Sequence, residues 1–294
     1  MSVAAPAPAI SLVTSCKGRL SSLKQSLPRM VAQAHAEIIV VDYDCPQGSG
    51  AWVAAEYPAV RVVQIAGEPV FNVARARNLG AQAARAQWLF FVDADVMLDE
   101  HFVEQVLPRL RMGAFYSMAN SHPGTVGTVI CRREDFVALE GYDEVLQGWG
   151  TEDRDFYIRL AMRGCAHEVL PAAGIRAIEH DDDARVYYYE IKDRWLSQRI
   201  NASYVQIKHD LARQFDSLQL PLAVRREVYA QVRQAFTCSA AAEPGAARIQ
   251  ITLPAELAVR FYGWRMKRIW TYEVEPVQQA AGGASVLNPA RAAV

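Results

Sequence analysis

Apolar and polar positions alternate in blocks along the first third of the chain. Ala9-Ile-Ser-Leu-Val13, Glu37-Ile-Ile-Val-Val-Asp42, Val60-Arg-Val-Val-Gln-Ile65 and Trp88-Leu-Phe-Phe-Val92 are short, continuous and rich in β-branched or aromatic residues, as buried strands are. Between them, Arg19–Gln33 carries Leu20, Leu23, Leu27 and Met30 at helical spacing, a short helix is expected near Gly50–Glu56, and Asn72–Ala86 reads as an alanine-rich helix. Strands alternating with helices predict right-handed βαβ units and a mostly parallel central sheet covered on both faces, an α/β architecture.

After Asp99 the pattern changes. Asp99 is placed to cap a helix over Glu100–Leu110, strand-like pieces follow at Ala114–Met118 and Thr125–Cys131, and a short helix from Arg132 stops at Gly141. Thr151–Arg163 is a helix with Glu152, Asp153 and Asp155 in its first turn, where the helix dipole favours anions, and Gly164 follows its end. Val186–Phe215, free of Pro and Gly, reads as a helical extension. Ala240–Ala246 reads as a linker, Arg260–Tyr272 as a helix with an aromatic arc and a basic one, and Gln278–Val294 as a low-complexity tail. The expected organisation is an α/β domain over 1–185, a helical extension over 186–240, and linker, basic aromatic helix and tail over 241–294.

Composition narrows the class. Of 294 residues 51% are hydrophobic, and 31 basic against 32 acidic side chains nearly cancel, which excludes a disordered polyelectrolyte and gives no sign of a nucleic-acid partner. Five scattered cysteines without a CxxC pair argue against a zinc ribbon or a disulfide framework and fit a reducing compartment. No stretch approaches the ~18 apolar residues of a membrane span, and Met1–Ile10 lacks the basic start of a signal peptide. The expected location is the cytoplasm. The basic aromatic segment leaves peripheral contact with the inner face of the cell membrane open, against the plainer reading of a segment packed on the protein. The sequence sets no oligomeric state; a homodimer is one reading.

Three motifs bear chemistry. Asp93-Ala-Asp95 directly follows the fourth strand, and in an open α/β sheet ligands bind at the carboxyl ends of strands where strand order reverses. Two carboxylates one residue apart suit Mg²⁺ or Mn²⁺, which can neutralise a departing diphosphate; a solvated acidic turn is the bland alternative. Gly148-Trp-Gly-Thr-Glu-Asp-Arg-Asp155 presents an indole between two glycines, fit for a sugar face, and then two carboxylates at a helix start, one of which can take a proton from a hydroxyl. His180 ends Ile175-Arg-Ala-Ile-Glu-His180 as a third candidate metal ligand, although a lone histidine is more often structural. Lys17, Arg19, Arg75 and Arg77 are candidate phosphate contacts or plain charged surface.

In that order these motifs resemble GT-A-fold glycosyltransferases, over about residues 9–185. The likeness is to family 2-type bacterial transferases and to the galactosyltransferase-like catalytic half of β-1,4-galactosyltransferases and chondroitin polymerases. Phe71-Asn-Val-Ala-Arg-Ala-Arg-Asn-Leu-Gly80 is similar to the stretch ahead of the DxD strand in those enzymes, and Gly127–Phe136 with Gly141-Tyr142 to their donor-sugar loop. The resemblance implies a Rossmann-like GT-A domain and a metal-dependent inverting transfer from a UDP-sugar to a glycan or lipid-linked acceptor, in surface polysaccharide or glycan synthesis. It implies Mn²⁺ or Mg²⁺ on Asp93, Asp95 and His180. Donor contacts would come from Thr14, Lys17, Arg19, Asp42, Asp44, Arg77, Asn78, Asp93 and Gly127, acceptor contacts from Trp149 and Glu152, and Asp153 would be the general base. Two positions depart from the galactosyltransferase pattern: Ala177 stands where a Met is usual, and Arg154 interrupts the acidic run. Competing readings are a haloacid-dehalogenase-type phosphatase, which Met97 fits poorly, a nucleotidyltransferase, and a non-catalytic carbohydrate-binding subunit.

Overall fold

A computed structural model describes residues 7–119, 123–179, 186–238, 246–253 and 259–276. His180, the acidic residues 181–183, most of the expected linker and the 278–294 tail lie outside the described residues. Contacts divide the chain into two units, Met1–Glu144 with Glu152–Lys192, and Val145–Thr151 with Asp193–Val294. The loop that carries Trp149 groups with the C-terminal helices.

The first unit is built on a seven-stranded sheet. Its strands are β1 (Ile10–Cys16), β2 (Ala36–Tyr43), β3 (Arg61–Ile65), β4 (Trp88–Phe91), β6 (Ala114–Met118), β7 (Val129–Arg132) and β8 (Ala166–Leu170). The order is β3-β2-β1-β4-β7-β6-β8. The β1/β2, β2/β3, β1/β4 and β6/β8 pairs are parallel, and β7 runs antiparallel to both β4 and β6, so it alone opposes the rest. β5 (Val96–Leu98) and β9 (Ile175–Ala177) form a small antiparallel pair of their own.

Side-chain alternation explains the helical cover. Leu12, Cys16, Ile38, Val40, Phe90 and Val92 point to one face, where they pack with Leu23, Leu27 and Met30 of α1 (Leu20–Val31), Val53 of α2 (Ser49–Glu56) and Phe102, Val103 and Val106 of α4 (Phe102–Val106). Val41, Tyr43 and Ile65 point to the other, against Ala76 of α3 (Val73–Ala83). α3 approaches β1 closely because residue 80 is glycine: a Cβ there would stand 2.3 Å from Cγ1 of Val13. α5 (Arg133–Ala138) follows β7, and α6 (Glu152–Met162) carries the acidic first turn.

The 100–110 helix is shorter than its pattern predicts. Asp99 does not cap it; its carboxylate accepts from Nη2 of Arg176 at 3.0 Å, and Oε1 of Gln33 instead accepts the Val103 N–H at 2.9 Å. The helix therefore starts after His101 and tightens into a 3₁₀ turn at Leu107–Arg109, where Pro108 sits.

α6 is anchored by a fully buried ion pair. Nε of Arg159 donates to Asp155 at 3.0 Å, and its Nη1 donates to the Leu139 and Gly141 carbonyls, fixing the 139–141 turn. Removing one member strands the other charge in the core. Arg159→Ala should lower unfolding free energy by about 3–5 kcal/mol in denaturant titration, and adding Asp155→Ala should cost less than the sum of the single losses. Strict additivity would show that the pair is not coupled.

In the second unit, α7 (Arg194–Gln214) is capped by Asp193, whose carboxylate accepts the Trp195 and Leu196 N–H groups, and α8 (Leu222–Cys238) follows. β10 (Ala247–Thr252) then pairs antiparallel with β13 (Ile269–Val274), and β11 (Val259–Phe261) with β12 (Trp264–Met266). The expected basic aromatic helix at 260–272 is thus corrected to strands. The apparent helical arc loses to a period of two, in which Trp270, Tyr272 and Val274 are half-buried and Ile269, Thr271 and Glu273 are exposed. Tyr262-Gly263 supplies two positive φ values, 45° and 81°, the requirement of a tight type I′ hairpin turn.

Candidate functional site

The Asp93-Ala-Asp95 loop is fixed from several sides. The Val92 N–H donates to Val13 O of β1 at 3.0 Å, and the Val96 N–H closes the turn onto Asp93 O at 3.0 Å. Ser26, buried on α1, donates its hydroxyl to Ala94 O at 2.6 Å. The Ile178 N–H donates to Asp95 O at 2.7 Å, which holds the end of β9 at the loop. The β4 loop lies at the carboxyl end of the parallel core β3-β2-β1-β4, the location expected for ligand binding.

Two arginines take the two aspartates. Nη1 of Arg19, from the loop after β1, meets Asp95 at 2.9 Å. Arg77 is buried on α3; its Nη2 donates to Asp93 at 3.0 Å and its Nη1 to Glu152 of α6 at 3.1 Å, with the Tyr142 ring 5.1 Å from its Cζ. One guanidinium therefore bridges the DxD loop and the acidic helix start. Gly127 stands at the same place: a Cβ there would lie 2.9 Å from Nη2 of Arg77 and 3.4 Å from Oδ2 of Asp93, so glycine leaves that side of the carboxylate open.

The two acids of α6 share a charge-dense, poorly solvated site. Burial, then the Asp153 charge, push Glu152 up to about 7, against the lowering pull of Arg77. Burial also raises Asp153, with Arg77 and the Arg154 N–H opposing; that N–H donates to Oδ1 of Asp153 at 2.7 Å. No side-chain cation pairs directly with Asp153 among the described residues. Carboxylates pushed toward neutrality in such a setting are suited to acid–base chemistry.

The other candidate residues divide. Nζ of Lys17, buried, donates to the carbonyls of Tyr43, Asp44 and Glu68 at 3.1, 3.1 and 2.8 Å, which engages all three of its donors and ties the loops after β1, β2 and β3 together. The Asp44 carboxylate lies 4.0 Å from the same Nζ, and its backbone takes φ 48°. Asp42 accepts the Cys45 N–H at 2.8 Å and the Gly50 N–H at 2.6 Å, shaping the start of α2. Asn78 accepts the Tyr142 N–H and donates to Tyr142 O and Glu144, so it holds the 141–144 loop. Asn72 caps α3 and also donates to Glu144 O. Among the described residues the Thr14 hydroxyl, buried on β1, has no hydrogen-bond partner.

In the second unit, Trp149 is held by α7. Its N–H donates to Ser197 Oγ at 2.7 Å, Asn201 donates to Gly150 O at 2.9 Å, and the Arg194 guanidinium stacks over the indole at 4.1 Å. Gly148 and Gly150 take φ 78° and 92°, and a Cβ on Gly148 would stand 2.2 Å from Ser197 Oγ.

Aromatic residues of the site escaped the motif reading. Tyr189, buried, is raised well above its ordinary range by burial and by Glu152, and Asp93, Arg77 and Arg19 also act on it. Tyr188 covers Gly18, where a Cβ would meet its ring at 1.9 Å, and its carbonyl accepts the Phe71 N–H at 2.8 Å. Three consecutive tyrosines, 187–189, were the available signal.

The fold is GT-A-like, as in glycosyltransferases related to galactosyltransferases and mannosyltransferases. Residues 114–181 match the family model described as the N-terminal domain of galactosyltransferase. The chain is 30% identical over 139 residues to bovine (Bos taurus) β-1,4-galactosyltransferase 1, a match that covers 43% of this chain and 34% of that enzyme. The chain thus spans about a third of the length of that curated relative. Among solved structures, it resembles the mannosyltransferase PcManGT of Pyrobaculum calidifontis, in complex with GDP-Man and Mn²⁺, with a TM-score of 0.52 and 14% identity over 79% of this chain and 71% of that one. Staphylococcus aureus TarS gives a TM-score of 0.50 and 13% identity over 78% and 72%.

Proposed function

We propose that this chain is a metal-dependent, inverting glycosyltransferase of the family 2 type, which moves a sugar from a UDP-sugar to a hydroxyl of a glycan or lipid-linked acceptor in the cytoplasm. The observation that carries the reading is the convergence of Asp93, Arg77, Glu152 and Asp153 beside Asp95 at the end of β4. The galactosyltransferase matches support sugar transfer as the reaction class. Among the described residues no helix is long and apolar enough to cross a membrane.

The donor set fits a hard divalent cation: two carboxylates on one short turn, the Asp93 side kept open by Gly127. Asp93 and Asp95 would hold Mn²⁺ or Mg²⁺ with His180, which follows the anchored Ile178. When bound, such an ion offsets the negative charge of a leaving diphosphate. Arg77 orients Asp93 and Glu152 together, and Arg19 positions Asp95. Asp153 takes the proton of the attacking acceptor hydroxyl as the sugar C1–O bond to the diphosphate breaks, so the anomeric configuration inverts. Glu152 contacts the acceptor.

A UDP-release screen across nucleotide sugars tests the class and the donor together. With Mn²⁺, one donor should release UDP; EDTA should stop release and Mn²⁺ restore it. Full release in EDTA would remove the metal from the reading, and no release with any donor would remove the activity.

A further inference from the structure

The hairpin of β11 and β12 exposes large apolar side chains beside a concentration of positive charge. Tyr262 is 99% exposed and Trp264 73%, with Met266 and Ile269 also exposed. Between Val259 and Tyr272 the sequence holds Arg260, Arg265, Lys267 and Arg268 and no acidic residue. In register, Arg260 pairs with Arg265 and Phe261 with Trp264 across the turn. A two-stranded hairpin is marginal on its own, and aromatic exposure of this extent marks a surface that another phase or molecule covers.

Charge and spacing indicate what covers it. The run Trp264-Arg-Met-Lys-Arg-Ile269 interleaves apolar and cationic residues almost one by one. Aromatic, Met and Arg side chains also suit a protein interface, but four cations between Arg260 and Arg268 with no acid among them call for an extended anionic surface to pair with. The headgroup layer of an anionic bilayer accepts both kinds: Trp and Tyr settle at the boundary with their polar edges wet, while Arg and Lys reach lipid phosphates through their long stems.

We propose that this hairpin docks the chain on an anionic lipid surface, with Tyr262 and Trp264 entering the headgroup layer and Arg265, Lys267 and Arg268 on the phosphates. The inference needs no donor chemistry, so it stands or falls apart from the proposed reaction.

Flotation of the full chain tests it, using vesicles of phosphatidylcholine with phosphatidylglycerol and vesicles of phosphatidylcholine alone. The chain should float with the anionic vesicles only, and less so as salt is raised. The triple variant Arg265→Glu, Lys267→Glu, Arg268→Glu should partition at least about tenfold more weakly, and so should Tyr262→Ser with Trp264→Ser. Circular dichroism should show both variants folded. Failure of the wild type to float, equal flotation with neutral vesicles, or unchanged flotation of both variants overturns the proposal. A concentration-dependent dimer in sedimentation that Trp264→Ser dissolves would overturn it too, by assigning the hairpin to a second copy of the chain.

Discussion

Asp153→Asn is expected to lower sugar transfer by about 10³-fold while leaving UDP-sugar binding unchanged. The residue sits in the first turn of α6, and its carboxylate accepts only the Arg154 N–H among described hydrogen bonds. A general base needs a lone pair free for the incoming proton, and the arrangement separates the two neighbouring acids in this respect. Glu152 is tied to Arg77 by an ion pair; Asp153 feels the same arginine only through space. Asparagine keeps the size and the N–H contact and removes the basicity. The same logic gives a pH dependence. Burial raises the Asp153 pKa, so wild-type kcat/KM should fall on acidification through a value above the ordinary carboxylate range, because the base must be ionised. The sign for stability is the reverse: a raised carboxylate pKa makes ionisation cost stability as pH rises through it. Asp153→Asn should therefore fold at least as stably as the wild type at neutral pH, which thermal unfolding can check. Wild-type turnover by the folded variant would remove Asp153 from the reaction.

The parallel core was legible because its signals are local. β-branched runs such as 37–42, buried on both faces, can be little else than central strands, and their alternation with helices gives right-handed parallel crossovers, while the β3-β2-β1-β4 order itself is set by the fold. The location of Asp93 and Asp95 followed from that order. Individual side chains were less legible. Lys17 and Asn78 occupy positions suited to ligand contact, yet their hydrogen bonds go to loops brought close only by the fold, while Asp42 accepts from Cys45 and Gly50 in the loop that follows it. A residue that positions a loop and one that touches a ligand have the same chemistry in sequence; the difference lies in non-local partners. The 260–272 segment failed for a related reason. Its aromatic and basic residues fit a period of 3.6 and a period of 2 about equally well, and the deciding feature, a turn at Tyr262-Gly263, is only two residues long.

Arg77 should prove as costly to replace as the base itself. It is the one described cation in contact with both the DxD loop and the acidic start of α6, and it is almost wholly buried. Arg77→Met would leave Glu152 next to Asp153 with no positive charge between them, and like charges that close share a proton. Two consequences are expected. Stability falls by roughly 1–3 kcal/mol, less than for a fully buried pair because Asp93 is 39% exposed and Glu152 can take a proton. The acid limb of the kcat/KM profile moves to higher pH, since Arg77 now lowers both carboxylates. Arg77→Lys serves as the milder variant should the methionine protein not fold: it restores charge, but a single ammonium cannot span Asp93 and Glu152 as the planar fork does. Its profile should therefore lie between those of the wild type and the methionine variant, with kcat/KM still down by at least about tenfold. A merely structural arginine would change stability and leave the profile in place. A folded Arg77→Lys protein with the wild-type acid limb and rate would show that the guanidinium bridge has no part in setting the charge of Glu152 and Asp153.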